Sequence, residues 1–184
     1  MTMTAPSSTL SLRPGAIAHA AFAGLCSSLV GIGVARFAYT PLIPALISGH
    51  WFSQAQASYL GAANLAGYLA GALAGRHLTR QVSAGNVLRL LMLLTAVSLF
   101  ACELRSFGLL WFMAWRFISG VTGGGIMVLA APTVLLHTPL RRRGLVSGAI
   151  FTGVRLGVVI SGTLVPLLLQ AGGLLAAWRG LGGL

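Results

Sequence analysis

Three arginines stand deep inside apolar segments of this chain: Arg36, Arg116 and Arg155. Each carries a permanent charge and a planar fork of N–H donors that suits carboxylates and phosphates. On insertion scales each costs at least about 2.5–3.5 kcal/mol at a bilayer centre. Arg36 lies about 11 residues, roughly 16 Å of helix, from the end of its segment. Arg116 is about 9 residues into its own segment and Arg155 about 12 past Arg143, distances that a snorkelling side chain spans only in part. Two roles are open. The arginines line a cavity that attracts an anionic or polar solute, or they brace helices by donating to carbonyls and to the hydroxyls of Tyr39, Thr40 and Ser119. Tyr39 and Thr40 follow Arg36 at three and four residues, on one helix face. Pro41 and Pro44 interrupt the hydrogen-bond ladder of the same segment, and a broken helix beside a charge is one way to build a midplane site. Asn64 is a further polar residue in an apolar segment, either a cavity residue or an interhelical hydrogen bond.

Other chemistries lack their residues. Glu103 is the single acid, and it lies between segments. Cys26 and Cys102 have no metal-ligand spacing and read as small apolar packing residues, so neither a metal nor a cofactor is expected. Ser119-Gly120 and Ser161-Gly162 lack the preceding glycine of an intramembrane serine protease, and other membrane enzymes need acids for metal or proton transfer; no enzyme activity is expected. His19 and His137 sit near segment mouths and His50 and His77 in loops, so none is a midplane proton carrier.

The elements that must hold these arginines follow from composition. Only 7% of the residues are charged, against roughly 25% in a soluble domain. So few charges cannot cover a water-facing surface, and the solvent for most of this chain is lipid. The net charge of +11 is all arginine, clustered in short runs between apolar segments, which is the pattern of cytoplasmic membrane loops and not of a nucleic-acid-binding face. A core of about 30 Å needs about 20 apolar residues as helix. Five segments qualify: about 16–47, 55–75, 87–102, 107–136 and 144–169, with the start of a sixth near Leu174. No short alternating strands of a β-barrel are present. The expected fold is an all-α integral membrane bundle of about five complete transmembrane helices plus part of a sixth.

Residues 1–14 form a polar terminus, and residues 15–184 the transmembrane bundle. The first apolar run is longer than a signal-peptide core and reads as an uncleaved span. Arg13, Arg76, Arg80 and Arg141 to Arg143 fall on one side of the alternating spans, which predicts a cytoplasmic N-terminus. Trp51, Trp111 and Trp178 are expected at the outer interface.

Glycines mark two helices. Gly67, Gly71 and Gly75 recur every four residues in the second span, and Gly144, Gly148, Gly153, Gly157 and Gly162 stripe the fifth. Such faces let helices approach closely, for packing or for sliding during transport. Arg36-Phe37 in span 1 and Arg116-Phe117 in span 4, together with the two striped helices, suggest an inverted repeat of three helices.

The stretches GIGVARFAYTPLIPAL, SYLGAANLAGYLAGALAG and RFISGVTGGGIMVLAAP resemble the major facilitator superfamily, in particular its YbfB/YjiJ-type branch, over nearly the whole chain from about Gly15. The loop motif after span 2 is matched by Gly71, Arg76 and Arg80, with Gly75 where the family has an acid. Arg116 and Gly120 match the span-4 motif. Gly144, Gly153 and Gly157 match the span-5 motif, with Val158 in place of its proline, and Arg155 is peculiar to this chain. The resemblance implies the N-terminal six-helix bundle of a secondary transporter that moves a small molecule, of anionic character if the arginines serve it, by alternating access. It implies a missing C-terminal half or a second copy as partner, besides the lipid bilayer, and no nucleic acid. The alternative is a truncated remnant that inserts in the membrane without transporting.

Overall fold

Helix is the backbone form that satisfies its own N–H and C=O groups within one segment, which lipid demands. The computed structural model describes residues 14–79, 82–136 and 138–183, and every regular element among them is helical. Arg13, Arg80 and His137 lie outside the described residues, as does the side chain of Arg76.

The first column runs through α1 (Pro14–Ser28), a π-helical turn (Leu29–Val34), α2 (Ala35–Phe37) and α3 (Tyr39–Ser48). It stays continuous at Ala38, whose N–H donates to the Val34 carbonyl at 2.9 Å. Pro44 sits inside α3 without ending it. The prolines therefore do not split the span as expected. They leave the Phe37 and Thr40 carbonyls without ladder donors, because proline carries no N–H.

α4 (Gln54–Leu78) begins at a reciprocal cap: the Ser53 hydroxyl accepts from the Gln56 N–H and the Gln56 side chain accepts from the Ser53 N–H. α5 (Ala84–Ala101), α6 (Gly108–Leu135) and α7 (Leu140–Gly182) follow. α7 is broken at Gly172 and Gly173; Gly173 has φ +68°, a backbone that glycine takes without penalty. The chain reverses there, so that Gly180 packs on Leu168 and Gly182 on the Phe100 ring. The expected boundary between a fifth and a sixth segment falls at this reversal.

Among the described residues four stretches are long and apolar enough to cross a membrane: Gly15–Ser48, Ala84–Ala101, Gly108–Leu135 and Leu140–Gly182. The second expected span, α4, is a helix of 25 residues, about 37 Å long. Its length suffices, but Gln54, Gln56, Asn64 and a high share of small residues keep it outside the apolar set. Large apolar side chains face outward along the bundle, among them Leu73, Leu93, Leu110 and Leu145, each more than half exposed. That exposure suits a lipid-facing surface.

Two helix pairs approach to backbone contact. In the first, α4 meets α6. A methyl group at Gly67 would collide with the Phe117 carbonyl, and one at Gly71 with the Val121 carbonyl. Seen from α6, Gly120 lies against the Asn64 carbonyl and Gly124 against that of Tyr68. In the second pair, the first column meets α7. Gly153 lies against the Leu25 carbonyl and Gly157 against the Leu29 carbonyl, while a methyl at Gly33 would stand 2.6 Å from the Gly157 Cα. Ser161 Oγ donates to the Gly33 carbonyl one turn further on, at 3.3 Å.

The two pairs share one register. Contacts advance by four residues on both helices, so each pair is parallel. Gly67, Gly71 and Gly75 correspond to Gly153, Gly157 and Ser161, and Phe117, Val121 and Gly125 to Leu25, Leu29 and Gly33. Exchanging the first three spans for the next three turns one pair into the other. The glycine stripes thus follow a repeat, but the Arg-Phe dipeptides do not. In this register Arg116 corresponds to Gly24, and Arg36 to Val128. Backbone contact enforces the glycine positions, whereas a two-residue match has nothing to enforce it.

The loop end opposite the arginine-rich loops closes on an aromatic cluster. Phe112 packs edge-on against Phe52 at 4.9 Å, Trp51 at 6.0 Å and Trp178 at 6.4 Å. Trp178 joins this cluster at the same end as Trp51 and is 1% exposed, folded inward by the reversal at Gly172 and Gly173.

Glycine contact gives a sharp contrast between positions. Gly71→Leu should destabilise by about 1–3 kcal/mol or more, since its side chain meets backbone that cannot rotate away. Gly148 has nothing within 4 Å of an added Cβ. Gly148→Ala should leave stability unchanged or raise it by up to about 1 kcal/mol. Melting temperatures of the purified variants in detergent check both.

Candidate functional site

The arginines separate into two environments. Arg116, on α6, is 2% exposed. One terminal nitrogen donates to the Ala35 carbonyl at 3.1 Å, and the guanidinium carbon stands 4.4 Å from the centre of the Tyr39 ring. A carbonyl dipole and a π face thus partner a charge for which the chain has no buried acid. Asn64 Nδ2 donates to the Arg116 carbonyl at 3.0 Å, and the Tyr39 hydroxyl donates to the Ala57 carbonyl at 2.7 Å. These bonds tie the first column, α4 and α6 together over about two helical turns. Arg116 Nε and Ser119 Oγ are buried there without a hydrogen-bond partner among the described residues. Through these bonds Arg116, Tyr39 and Asn64 link neighbouring helices, and none of the three lines the cleft of Arg36 and Arg155.

Arg36 and Arg155 share a cleft of about 390 Å³. Arg36 comes from the first column just after the π turn, and Arg155 from the middle of α7. The Arg36 guanidinium stacks on the Tyr68 ring at 4.7 Å and lies 5.8 Å from the Phe37 ring. Ile32, Met127, Phe151 and Val154 complete the lining. Arg36 and Tyr39 part company because three residues of helix leave their side chains about 60° apart, and the boundary between α2 and α3 at Ala38 falls between them. Tyr39 points under Arg116, Arg36 points to Tyr68, and Thr40 is exposed outside the cleft lining.

The two close helix pairs position the cleft. Tyr68 follows Gly67 on α4, and its own carbonyl lies against Gly124. Val154 and Arg155 lie between Gly153 and Gly157, the residues that press α7 on the first column. A large side chain next to a contact glycine must leave the helix pair on its flank, and the flanks of both pairs meet at this cleft. Tyr68, Met127 and Phe151 are lining residues that sequence reasoning missed. The signal available was the bulky ring interrupting a small-residue stripe at Tyr68.

No acid of the chain reaches the cleft. Glu103 is paired with Arg179, whose Nε donates to it at 2.7 Å and whose terminal nitrogen lies at 2.5 Å. That ion pair joins the end of α5 to the final segment of α7. No group of three or more His, Cys, Asp or Glu side chains is gathered for a metal among the described residues. Of the glycines singled out from the sequence, Gly67, Gly71, Gly120, Gly153 and Gly157 make the tight contacts. Gly75 has ordinary packing distances to Gly125 and Val128, and Gly144, Gly148 and Gly162 meet nothing within 4 Å.

A family model described as an uncharacterised MFS-type transporter, YbfB, matches residues 28–184, which is most of the chain. Among curated proteins and among solved structures, none matches.

The two environments predict opposite mutational signatures. Arg116→Ala empties a large buried site and should cost about 2–5 kcal/mol. Tyr39→Phe should cost about 1 kcal/mol through one lost hydrogen bond. Arg155→Gln, exposed and outside both helix contacts, should stay within about 0.5 kcal/mol of the parent. Thermal unfolding in detergent measures all three.

Proposed function

The chain belongs to the MFS-type transporter family described as YbfB, and from that premise we propose that it forms the N-terminal six-helix bundle of a secondary transporter moving a small molecule by alternating access. The family match across residues 28–184 carries this reading. The packing supports it. The 3+3 inverted repeat of such a bundle is what the two parallel glycine pairs follow, the second helix of each triplet against the first helix of the other. The bundle occupies residues 15–184 of a multi-pass membrane protein, in a bacterial inner membrane with a cytoplasmic N-terminus.

In this reading the bundle moves as a rigid body. Backbone contacts at Gly67, Gly71, Gly153 and Gly157, with the Arg116 brace, hold its helices in fixed register while it rocks against a partner bundle. The cleft of Arg36 and Arg155 faces that partner and holds the solute. The partner is a C-terminal bundle or a second copy of the chain. The work of the site is binding and exclusion, with no covalent step.

Proteoliposome flux tests the proposal. Uptake of a panel of labelled small anions should appear when the chain is reconstituted with a second bundle, supplied as a second copy or as the C-terminal six helices of a family relative. Flux by the chain held at one copy per vesicle would contradict the half-transporter reading. So would the lack of flux with every partner bundle, which is the outcome expected of a remnant that inserts without transporting.

A further inference from the structure

The charge balance of the chain bears directly on what the cleft binds. Glu103 is the only acidic residue in the sequence, and Arg179 holds it. Arg36 and Arg155 therefore line one cleft with no carboxylate of this chain to offset them. Arg36 has given one face to the Tyr68 ring. A guanidinium held over a ring spends no N–H donor on a conventional acceptor in that contact and keeps donors for another group. Arg116 differs, because its charge is enclosed between the Ala35 carbonyl and the Tyr39 ring.

The rest of the lining is apolar. Ile32, Met127, Phe151 and Val154 offer an inorganic ion nothing, but they suit a hydrocarbon or aromatic body. The volume of about 390 Å³ falls in the range of small-molecule pockets. Two cations beside a soft apolar wall fit a ligand with one charged end and one greasy end.

We propose that the cleft binds an organic anion, its carboxylate or phosphate head at Arg36 and Arg155 and its apolar, ring-sized body against Phe151 and Met127. The inference rests on the transporter reading and names the substrate class of that site. The same head-group chemistry is carried by soluble organic acids and by anionic lipids, and the experiment separates the two.

The chain is purified in neutral detergent and its melting temperature is titrated with benzoate, with neutral benzamide and with inorganic phosphate. Benzoate should stabilise saturably, benzamide should not, and phosphate should bind more weakly than benzoate. Arg36→Gln and Arg155→Gln should each weaken benzoate about tenfold or more, the worth of a charge-assisted hydrogen bond. Phe151→Glu supplies an acid inside the cleft and should abolish the shift, which keeps the test decisive if an arginine variant fails to fold. Equal stabilisation by benzamide, or benzoate binding untouched by all three variants, overturns the proposal, as does no benzoate shift in well-folded protein.

In nanodiscs, benzoate affinity should be the same in phosphatidylglycerol as in phosphatidylcholine. Loss of benzoate binding in phosphatidylglycerol alone, relieved by Arg36→Gln, would assign the cleft to a lipid headgroup and overturn the soluble-anion form. Benzoate binding without flux contradicts the transporter reading alone. Flux of a neutral solute without benzoate binding contradicts this inference alone.

Discussion

Helices in lipid gain little from hiding apolar side chains from one another, because the surrounding tails are equally apolar. What holds this bundle is the closeness of backbones, and closeness is possible only where side chains are missing. At Gly67, Gly71, Gly120 and Gly124 one helix rests directly on the carbonyls of its neighbour, and at Gly33, Gly153 and Gly157 the other pair does the same. Every later feature depends on that contact. The pairs fix the register, the register sends Tyr68 and Arg155 to the flanks, and the flanks enclose the cleft.

The second constraint is charge. Twelve arginines and one glutamate leave the bundle strongly positive. Two buried or half-buried arginines are met by different means in different places. Arg116 keeps its charge enclosed between a carbonyl dipole and a π face. Arg36 is stacked on one face only and keeps a cavity beside it. One residue type is enclosed in one place and left beside a cavity in another because its surroundings differ, and burial is the property that separates the two.

Much of the fold was legible in the sequence. Segment lengths and glycine spacing mark out the apolar runs, and the sixth segment expected from near Leu174 begins just past the break at Gly172 and Gly173. α4 was harder, since its small and polar residues weaken its apolar signal while its packing against α6 is the closest in the molecule. The site was legible only in part. Arg36 and Arg155 stood out as charges in apolar runs, but their meeting in one cleft depends on tertiary register. Grouping Tyr39 and Thr40 with Arg36 assumed one unbroken helix face, whereas α2 ends at Phe37 and α3 begins at Tyr39, with Tyr39 turned to Arg116 and Arg36 to Tyr68. The pairing of Arg36 with Arg116 as repeat equivalents failed for a related reason: a repeat is kept by contacts, and these two residues make different ones.

The central claim is that glycine contact sets the helix register, and a disulfide measures register most directly. An added Cβ at Gly75 stands 3.6 Å from the Val128 Cβ, within the span that a disulfide needs. In a background with Cys26 and Cys102 replaced by alanine, Gly75→Cys with Val128→Cys should cross-link readily on mild oxidation in native membranes. Gly75→Cys with Val121→Cys, displaced by about a turn or more, should not. Cross-linking of the displaced pair, or of neither, would contradict the register on which the cleft is built.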